Sequence, residues 1–256
     1  MKLYSWNVNG LRAVAAKPTF WPWFKTAQAD LFAFQETKAR PEQLDPSLSA
    51  PAGYCPYFSW PTEKKGYSGV AVYSLTEPIQ VTKELPEERF AREGRLLHLE
   101  MEKFHFLNIY FPNGQKDEDR LDFKMGFYES FLSYSQFLRK SKPVVICGDF
   151  NTAHREIDLA HPDLCREISG FLDHERAFLS LMIRKGYIDT FRHINGDLEG
   201  QYSWWSYRAG DRIRNDGWRI DYFFVSQELE KNLTRAWLEP HVTGSDHCPI
   251  GIELSF

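Results

Sequence analysis

Long apolar runs, paired cysteines and a large excess of either charge are all missing from this chain of 256 residues. No stretch approaches the roughly 20 apolar residues that a membrane-spanning helix needs. The opening Met1-Lys2-Leu3-Tyr4-Ser5-Trp6 reads as the start of a strand and lacks the apolar core of a secretory signal. The expectation is therefore a cytoplasmic protein with no membrane partner, nucleoid-associated if prokaryotic. The four cysteines, Cys55, Cys147, Cys165 and Cys248, form no Cys-x-x-Cys pair, which argues against zinc and disulfide frameworks and for free thiols in a reducing compartment. A formal net charge of −4 argues against a surface that is basic all over, so any grip on a polyanion has to come from local charge. No linker, repeat or low-complexity segment divides the chain. Asn232-Leu233-Thr234 fits a glycosylation acceptor, which without secretion is read as coincidence.

What is present is a composition 43% apolar and 16% aromatic, enough to bury a sizeable core, and one domain over residues 1–256 is expected. Five short polar clusters sit beside strand-like apolar runs: Trp6-Asn7-Val8-Asn9-Gly10, Gln35-Glu36-Thr37-Lys38, Gly148-Asp149-Phe150-Asn151, Trp218-Arg219-Ile220-Asp221-Tyr222 and Gly244-Ser245-Asp246-His247-Cys248-Pro249. Polar ligands offered from strand ends across a whole chain point to one shared site. Asn7, Glu36, Asp149, Asn151, Asp221 and Asp246 offer oxygen, and His247 is the one imidazole among them. Such a set suits a hard cation such as Mg²⁺, with Mn²⁺ able to substitute, whereas zinc more often recruits several His or Cys. Carboxylates crowded without a cation repel one another, and an ion that polarises a phosphoryl oxygen beside a proton-handling group is the chemistry of phosphodiester hydrolysis.

These motifs, with Leu11-Arg12, Lys65-Gly66-Tyr67-Ser68-Gly69-Val70-Ala71, Asn108-Ile109-Tyr110-Phe111-Pro112-Asn113-Gly114 and Gly148-Asp149-Phe150-Asn151-Thr152-Ala153-His154 in the same order, resemble the exonuclease III type of apurinic/apyrimidinic (AP) endonucleases. Those enzymes lie within the endonuclease/exonuclease/phosphatase superfamily. The resemblance implies Glu36 as principal metal ligand with Asn7 and Asp246 near the ion. It implies Asp149 as general base or holder of the attacking water, and Asn151 as the amide that fixes that water or a phosphate oxygen. His247 is implied to touch the scissile phosphate, with Asp221 orienting it and raising its pKa. Tyr110 and Asn113 match positions that contact phosphate. Double-stranded DNA with abasic sites or blocked 3′ ends is the implied substrate, and a monomer the expected form.

For DNA recognition, Trp204, Trp218 and Ile220 match a small apolar pocket that accepts a flipped, baseless sugar. Arg208 matches a side chain that enters the duplex beside the lesion, where some relatives carry Met. Arg12 and Tyr67 match backbone and minor-groove contacts, and Lys124 and the loop at 169–171 are further candidates. Arg12, Lys64, Lys65, Arg92, Arg95, Arg208, Arg212, Arg214 and Arg219 are placed in loops expected to rim the site.

Each residue also has an ordinary alternative. Asn7 and Asn151 could serve turns, Asp149 could cap a helix, and Tyr110 could be a core phenol. Ser245-Asp246-His247 invites a serine-hydrolase reading, but triad members come from separate places in a chain. A superfamily phosphatase or sphingomyelinase should show a Pro-x-Trp-x-Asp-Arg core, which is missing. A catalytically dead binding module should have lost Glu36, Asp149 or His247, which are all present.

Strand-like runs fall near 2–8, 30–35, 69–74, 79–84, 95–101, 104–110, 143–148, 220–225, 235–240 and 248–254. Helical spacing of Leu121, Met125, Tyr128, Leu132, Ser135 and Leu138 predicts a helix over about 118–140; others are expected at about 173–185 and after Pro18. So many strands exceed one comfortable open sheet. The expected fold is a four-layer α/β sandwich, two packed mixed β-sheets flanked by helices, as the resembled family has.

Overall fold

The computed structural model describes residues 1–208 and 210–256. Its strands are β1 (Lys2–Asn7), β2 (Leu31–Gln35), β3 (Cys55–Ser59), β4 (Val70–Ser74), β5 (Gln80–Thr82), β6 (Leu96–Glu100) and β7 (His105–Tyr110). They continue with β8 (Val144–Asp149), β9 (Tyr187–Asp189), β10 (Trp204–Trp205), β11 (Gly217–Trp218), β12 (Asp221–Ser226), β13 (Leu233–Leu238) and β14 (Ile250–Leu254). One six-stranded sheet runs β13-β14-β1-β2-β4-β3 and a second β5-β6-β7-β8-β12-β9, while β10 and β11 form a small ribbon of their own. Both large sheets are mixed: β1 is parallel to β2 and β7 to β8, and the remaining pairs are antiparallel.

Period-two alternation makes the layers. In β1, Leu3 turns into the core between the sheets with Leu31, Val72, Leu99, Phe106, Val145, Phe223 and Ile252. Tyr4 and Trp6 turn the other way, against Phe20, Trp23 and Phe24 of the Phe20–Ala27 helix. On the second sheet, Leu107, Ile146 and Phe224 point outward to Phe127 and Phe131 of the Glu118–Leu138 helix and to Phe178 and Met182 of the Asp173–Arg184 helix. Helix, sheet, sheet and helix are thus stacked as expected, each large apolar side chain contributing about 1.5–3 kcal/mol on burial. The long helix starts where Asp117 accepts from the Arg120 amide at 2.8 Å, with Glu118 and Asp119 complementing its first turn.

The core between the sheets is not wholly apolar. Gln35 at the end of β2 donates to Ser5 Oγ at 3.0 Å and, across the sheets, to Asn108 Oδ1 of β7 at 2.7 Å. Asn108 in turn donates to the carbonyls of Phe34 and Ala71 at 3.1 and 2.9 Å.

Register then carries the polar strand ends together. In the second sheet Tyr110 stands opposite Asp149, and Asp149 opposite Asp221. In the first, Asn7 stands opposite Gln35, with Glu36 next in the chain. Gly148 lets β8 reach this point: its φ is +141°, and a Cβ there would lie 1.8 Å from the Ile109 carbonyl oxygen.

Candidate active site

Asp149 and Asp221 end adjacent strands, and His247 approaches from the segment before β14, where it bridges to Trp204. Its Nδ1 lies 2.8 Å from Asp221 Oδ2 and its Nε2 3.9 Å from Asp149 Oδ2. All three side chains are buried. Burial disfavours the imidazolium, but the charge and hydrogen bond of Asp221, helped by Asp149 and Asp246, outweigh it and hold the His247 pKa above its usual value. Burial and then the Asp221 charge push the Asp149 pKa up as well, above the ordinary carboxylate range, against the pull of His247 and the donors Asn151 and Asn7. Ser203 completes the set, donating to Asp221 Oδ2 at 2.6 Å while accepting from the amides of Ile220 and Asp221.

Glu36 lies on the first sheet's side of the same cleft. Its carboxylate accepts from Tyr110 Oη at 2.7 Å and Asn7 Nδ2 at 3.1 Å, and pairs with Lys38 Nζ at 2.8 Å. Burial opposes the charge, yet Lys38 and these donors keep the Glu36 pKa low. Burial and the Glu36 charge raise Tyr110, which stays a neutral donor. Asn7 Nδ2 also reaches Asp149 Oδ2 at 2.9 Å, so one amide joins the two carboxylates. Asn151 is tied to Asp149 twice, by its amide N–H to Oδ1 at 2.7 Å and by Nδ2 to Oδ2 at 3.2 Å. Asn9, Glu36, Lys38 and Asn151 all have φ near +50°. Such conformations cost non-glycine residues energy and gather where the surroundings enforce a functional geometry.

A cleft of about 810 Å³ opens above these groups, lined by Glu36, Tyr110, Asp149, Asn151, Trp204, Trp218, Ile220, Asp246 and His247 among others. Trp204 and Trp218 meet edge to face across the ribbon, centroids 6.1 Å apart, with Ile220 buried beside them. His161, Asp211, Arg214 and Asp216 line it as well.

The Endonuclease/Exonuclease/phosphatase family profile matches residues 4–247. The chain belongs to this family. An exodeoxyribonuclease from Bacillus subtilis is 47% identical, with 100% of each chain covered. A DNA-(apurinic or apyrimidinic site) endonuclease from Dictyostelium discoideum is 37% identical over 98% of this chain and 70% of its own. Among solved structures, an AP endonuclease from Archaeoglobus fulgidus superposes with a TM-score of 0.88 at 27% identity, covering all of both chains.

Within this family member, ligand-capable atoms of Asp149, Asp221 and His247 lie within 4.8 Å of one another, a spacing that could hold a metal ion. His247 Nδ1 is already committed to Asp221, which leaves only Nε2 of the imidazole for an ion. Glu36 fits a hard cation on firmer grounds: an ionised carboxylate facing the cleft already takes an ammonium, from Lys38. Lys38 also donates to Asn9 Oδ1, and Asn9 Nδ2 to Asp246 Oδ1 at 3.0 Å, so a polar chain joins Glu36 to Asp246. The other Asp246 oxygen accepts from Trp204 Nε1 at 3.1 Å. Asn7, expected near the ion, lies beside Glu36, its Oδ1 taking the Asn9 amide at 3.0 Å and its Nδ2 reaching the Glu36 and Asp149 carboxylates.

Lys124 is a correction to the expected DNA contacts. Expected to touch DNA, it is fully buried and paired with Glu175 at 2.6 Å, since the inner face of the long helix turns it beneath the site. Of the expected basic rim, Arg95 and Arg219 are buried as well, Arg95 on the Tyr110 carbonyl and Glu93, Arg219 between Asp158 and Asp189. Arg212 donates to the carbonyls of Ser245, Pro240 and Val242. Arg12 and Arg208 are exposed, and exposed Asn113 donates to Asn151 Oδ1 at 3.2 Å. Tyr67 is half-buried, its hydroxyl held by Arg95 and Arg120 and Lys64 lying 4.0 Å from its ring centroid. Ser245 is no nucleophile in waiting: its hydroxyl donates to the Asn7 carbonyl at 2.8 Å. Lys38, Asn9 and Ser203 were missed as contributors. The first two lie inside quoted motifs, whereas Ser203 gives no local signal.

Proposed function

We propose that this chain is a metal-dependent DNA-repair phosphodiesterase that cuts the backbone 5′ to abasic sites and leaves a 3′-hydroxyl. Removal of 3′-terminal nucleotides and of 3′-phosphates accompanies it. The observation that carries this reading is the Asp149–His247–Asp221 triad at the floor of a cleft with two indoles on one wall. The similarity to an exodeoxyribonuclease and an AP endonuclease over nearly the whole chain supports the DNA substrate.

His247, kept protonated by Asp221, presents Nε2–H to a phosphate oxygen and stabilises charge that grows there. Asp149, its proton affinity raised, accepts a proton from the attacking water, which the Asn151 amide helps to orient. Glu36 and Asp246 would hold Mg²⁺, with Mn²⁺ as substitute; when bound, it neutralises phosphate charge and acts as a Lewis acid. Tyr110 fixes the Glu36 carboxylate by its hydroxyl hydrogen bond. Trp204, Trp218 and Ile220 form an apolar niche that accepts a sugar without a base, and Arg208, Arg12, Tyr67 and Asn113 supply contacts to the duplex.

The test is one set of incubations with abasic, nicked and undamaged duplexes, in Mg²⁺ or in EDTA. Incision 5′ to the abasic site, in Mg²⁺ alone, is expected. Intact abasic duplex after prolonged incubation, or cutting indifferent to EDTA, overturns the reading.

A further inference from the structure

The buried pair Lys124–Glu175 is used by no step above, yet it ties together two loops that line the cleft. Lys124 Nζ donates to the Asn151 carbonyl at 2.8 Å, to Thr152 Oγ1 at 2.9 Å and to Glu175 Oε1 at 2.6 Å. Glu175 accepts from Ser169 Oγ at 2.7 Å and from the amides of Gly170 and Leu172 at 2.5 and 3.1 Å. The loop so gathered closes back on the first, the Ala153 amide donating to the Gly170 carbonyl at 2.8 Å. Both charged side chains are fully buried. Replacing such a pair by apolar groups of similar volume is often neutral or stabilising, so stability alone gives weak reason to keep it.

What the pair holds is specific. Asn151 sits at φ +50° and makes two hydrogen bonds to Asp149, so the carbonyl that Lys124 grips belongs to the residue that orients the proposed base. Gly170 has φ +104°, and a Cβ there would lie 3.0 Å from Trp218 Cζ3 and 3.2 Å from the Asn151 carbonyl oxygen. Ile168, Ser169 and Gly170 line the cleft with Trp218. Gln115 adds a further tie to the Ser169 carbonyl at 3.2 Å.

We propose that Lys124 and Glu175 are positioning residues that lock the Trp218 side of the cleft to the Asp149–Asn151 turn, and so set how well the enzyme prefers an abasic site over an exposed 3′ end. An internal lesion has to be seated against this wall before hydrolysis, whereas a 3′-terminal phosphate reaches the triad with less extrusion. The inference rests on the functional reading above.

Single substitutions leave an uncompensated buried charge and can unfold the protein, so the test removes both charges. In Lys124→Met/Glu175→Leu, with a melting temperature close to wild type, kcat/KM for abasic incision should fall at least about ten-fold further than that for 3′-phosphate removal. Part of the loss should appear in KM. A role confined to stability would lower both activities by one factor, in step with the folded fraction, and leave KM alone. Ser169→Ala, which deletes one tie and leaves the ion pair intact, should shift the same ratio in the same direction by a smaller factor. An unchanged ratio in both folded variants overturns the proposal. Loss of abasic incision in the wild-type enzyme would instead refute the functional reading.

Discussion

Asp149 and Asp221 face one another across β8 and β12, and the imidazole between them is bound to the second at 2.8 Å and only approached by the first, at 3.9 Å. The asymmetry divides the labour. Asp221 is committed to His247 and Ser203, while Asp149 turns toward the cleft with Asn7 and Asn151 as partners.

It follows that Asp149→Asn and His247→Asn should each lower kcat by several orders of magnitude while leaving the fold intact. Because base and phosphate contact act on one event, the double variant should lose far less than the product of the two single losses. Single-turnover rates on an abasic duplex decide this, and full multiplicativity would mean independent roles.

Glu36→Gln should abolish cleavage at ordinary Mg²⁺ concentrations while largely sparing abasic-DNA binding. It removes the charge that faces the cleft but keeps a side chain able to accept from Tyr110. Activity titrated against Mg²⁺, beside a DNA-binding isotherm, checks it. Near-normal turnover at low Mg²⁺ would remove Glu36 from the metal site.

Trp218→Ala should slow abasic incision much more than removal of a 3′-terminal phosphate, since it opens the niche against Trp204 and leaves the triad in place. Truncating a fully buried Trp costs about 3–5 kcal/mol, and half-buried Trp218 should cost less. Melting curves therefore accompany the kinetics. Equal losses on both substrates in folded protein would discard the lesion niche.

A pH effect on stability is expected far from the cleft. His98 of β6 contacts His105 Nδ1 at 2.9 Å and Tyr134 Oη at 2.8 Å. Burial, and then the charge of His105, lower its pKa to about 4, against roughly 6.5 in an unfolded chain. The unfolded chain thus binds the extra proton between these values. This contribution is fully present above pH ~6.5, declines as pH falls toward ~4, and amounts to ~3 kcal/mol at most. Urea unfolding at stepped pH should show that slope reduced in His98→Gln; an unaltered slope would place its origin elsewhere.

The large elements were legible because their signals are local. The ten strand-like runs all coincide with observed strands, and the long helix ends at Leu138 where the spacing predicted about 140. Missing were β3, an edge strand containing Pro56 and three half-buried residues, and β9 and the ribbon, which are too short to show a period. The motif residues did converge, because strand register alone delivers Tyr110, Asp149 and Asp221 to one end. Lys124 misled because its composition signal is that of a surface lysine, whereas its partner Glu175 lies 51 residues away in another helix. No local pattern reports a partner at that separation. Arg219, inside a motif and bound to Asp158 and Asp189, misled for the same reason.

Each large sheet carries only half of the chemistry: Asn7 and Glu36 belong to one, Tyr110, Asp149 and Asp221 to the other. Apolar contact between sheets is non-directional and tolerates small slides. The Gln35–Asn108 hydrogen bond does not, because it forms at one alignment and lies one residue from Glu36 and two from Tyr110. These two amides act as a dowel pin. A slip of the layers that left the compact body and its secondary structure untouched would still pull the halves apart, so catalysis should disappear before any spectroscopic sign of unfolding.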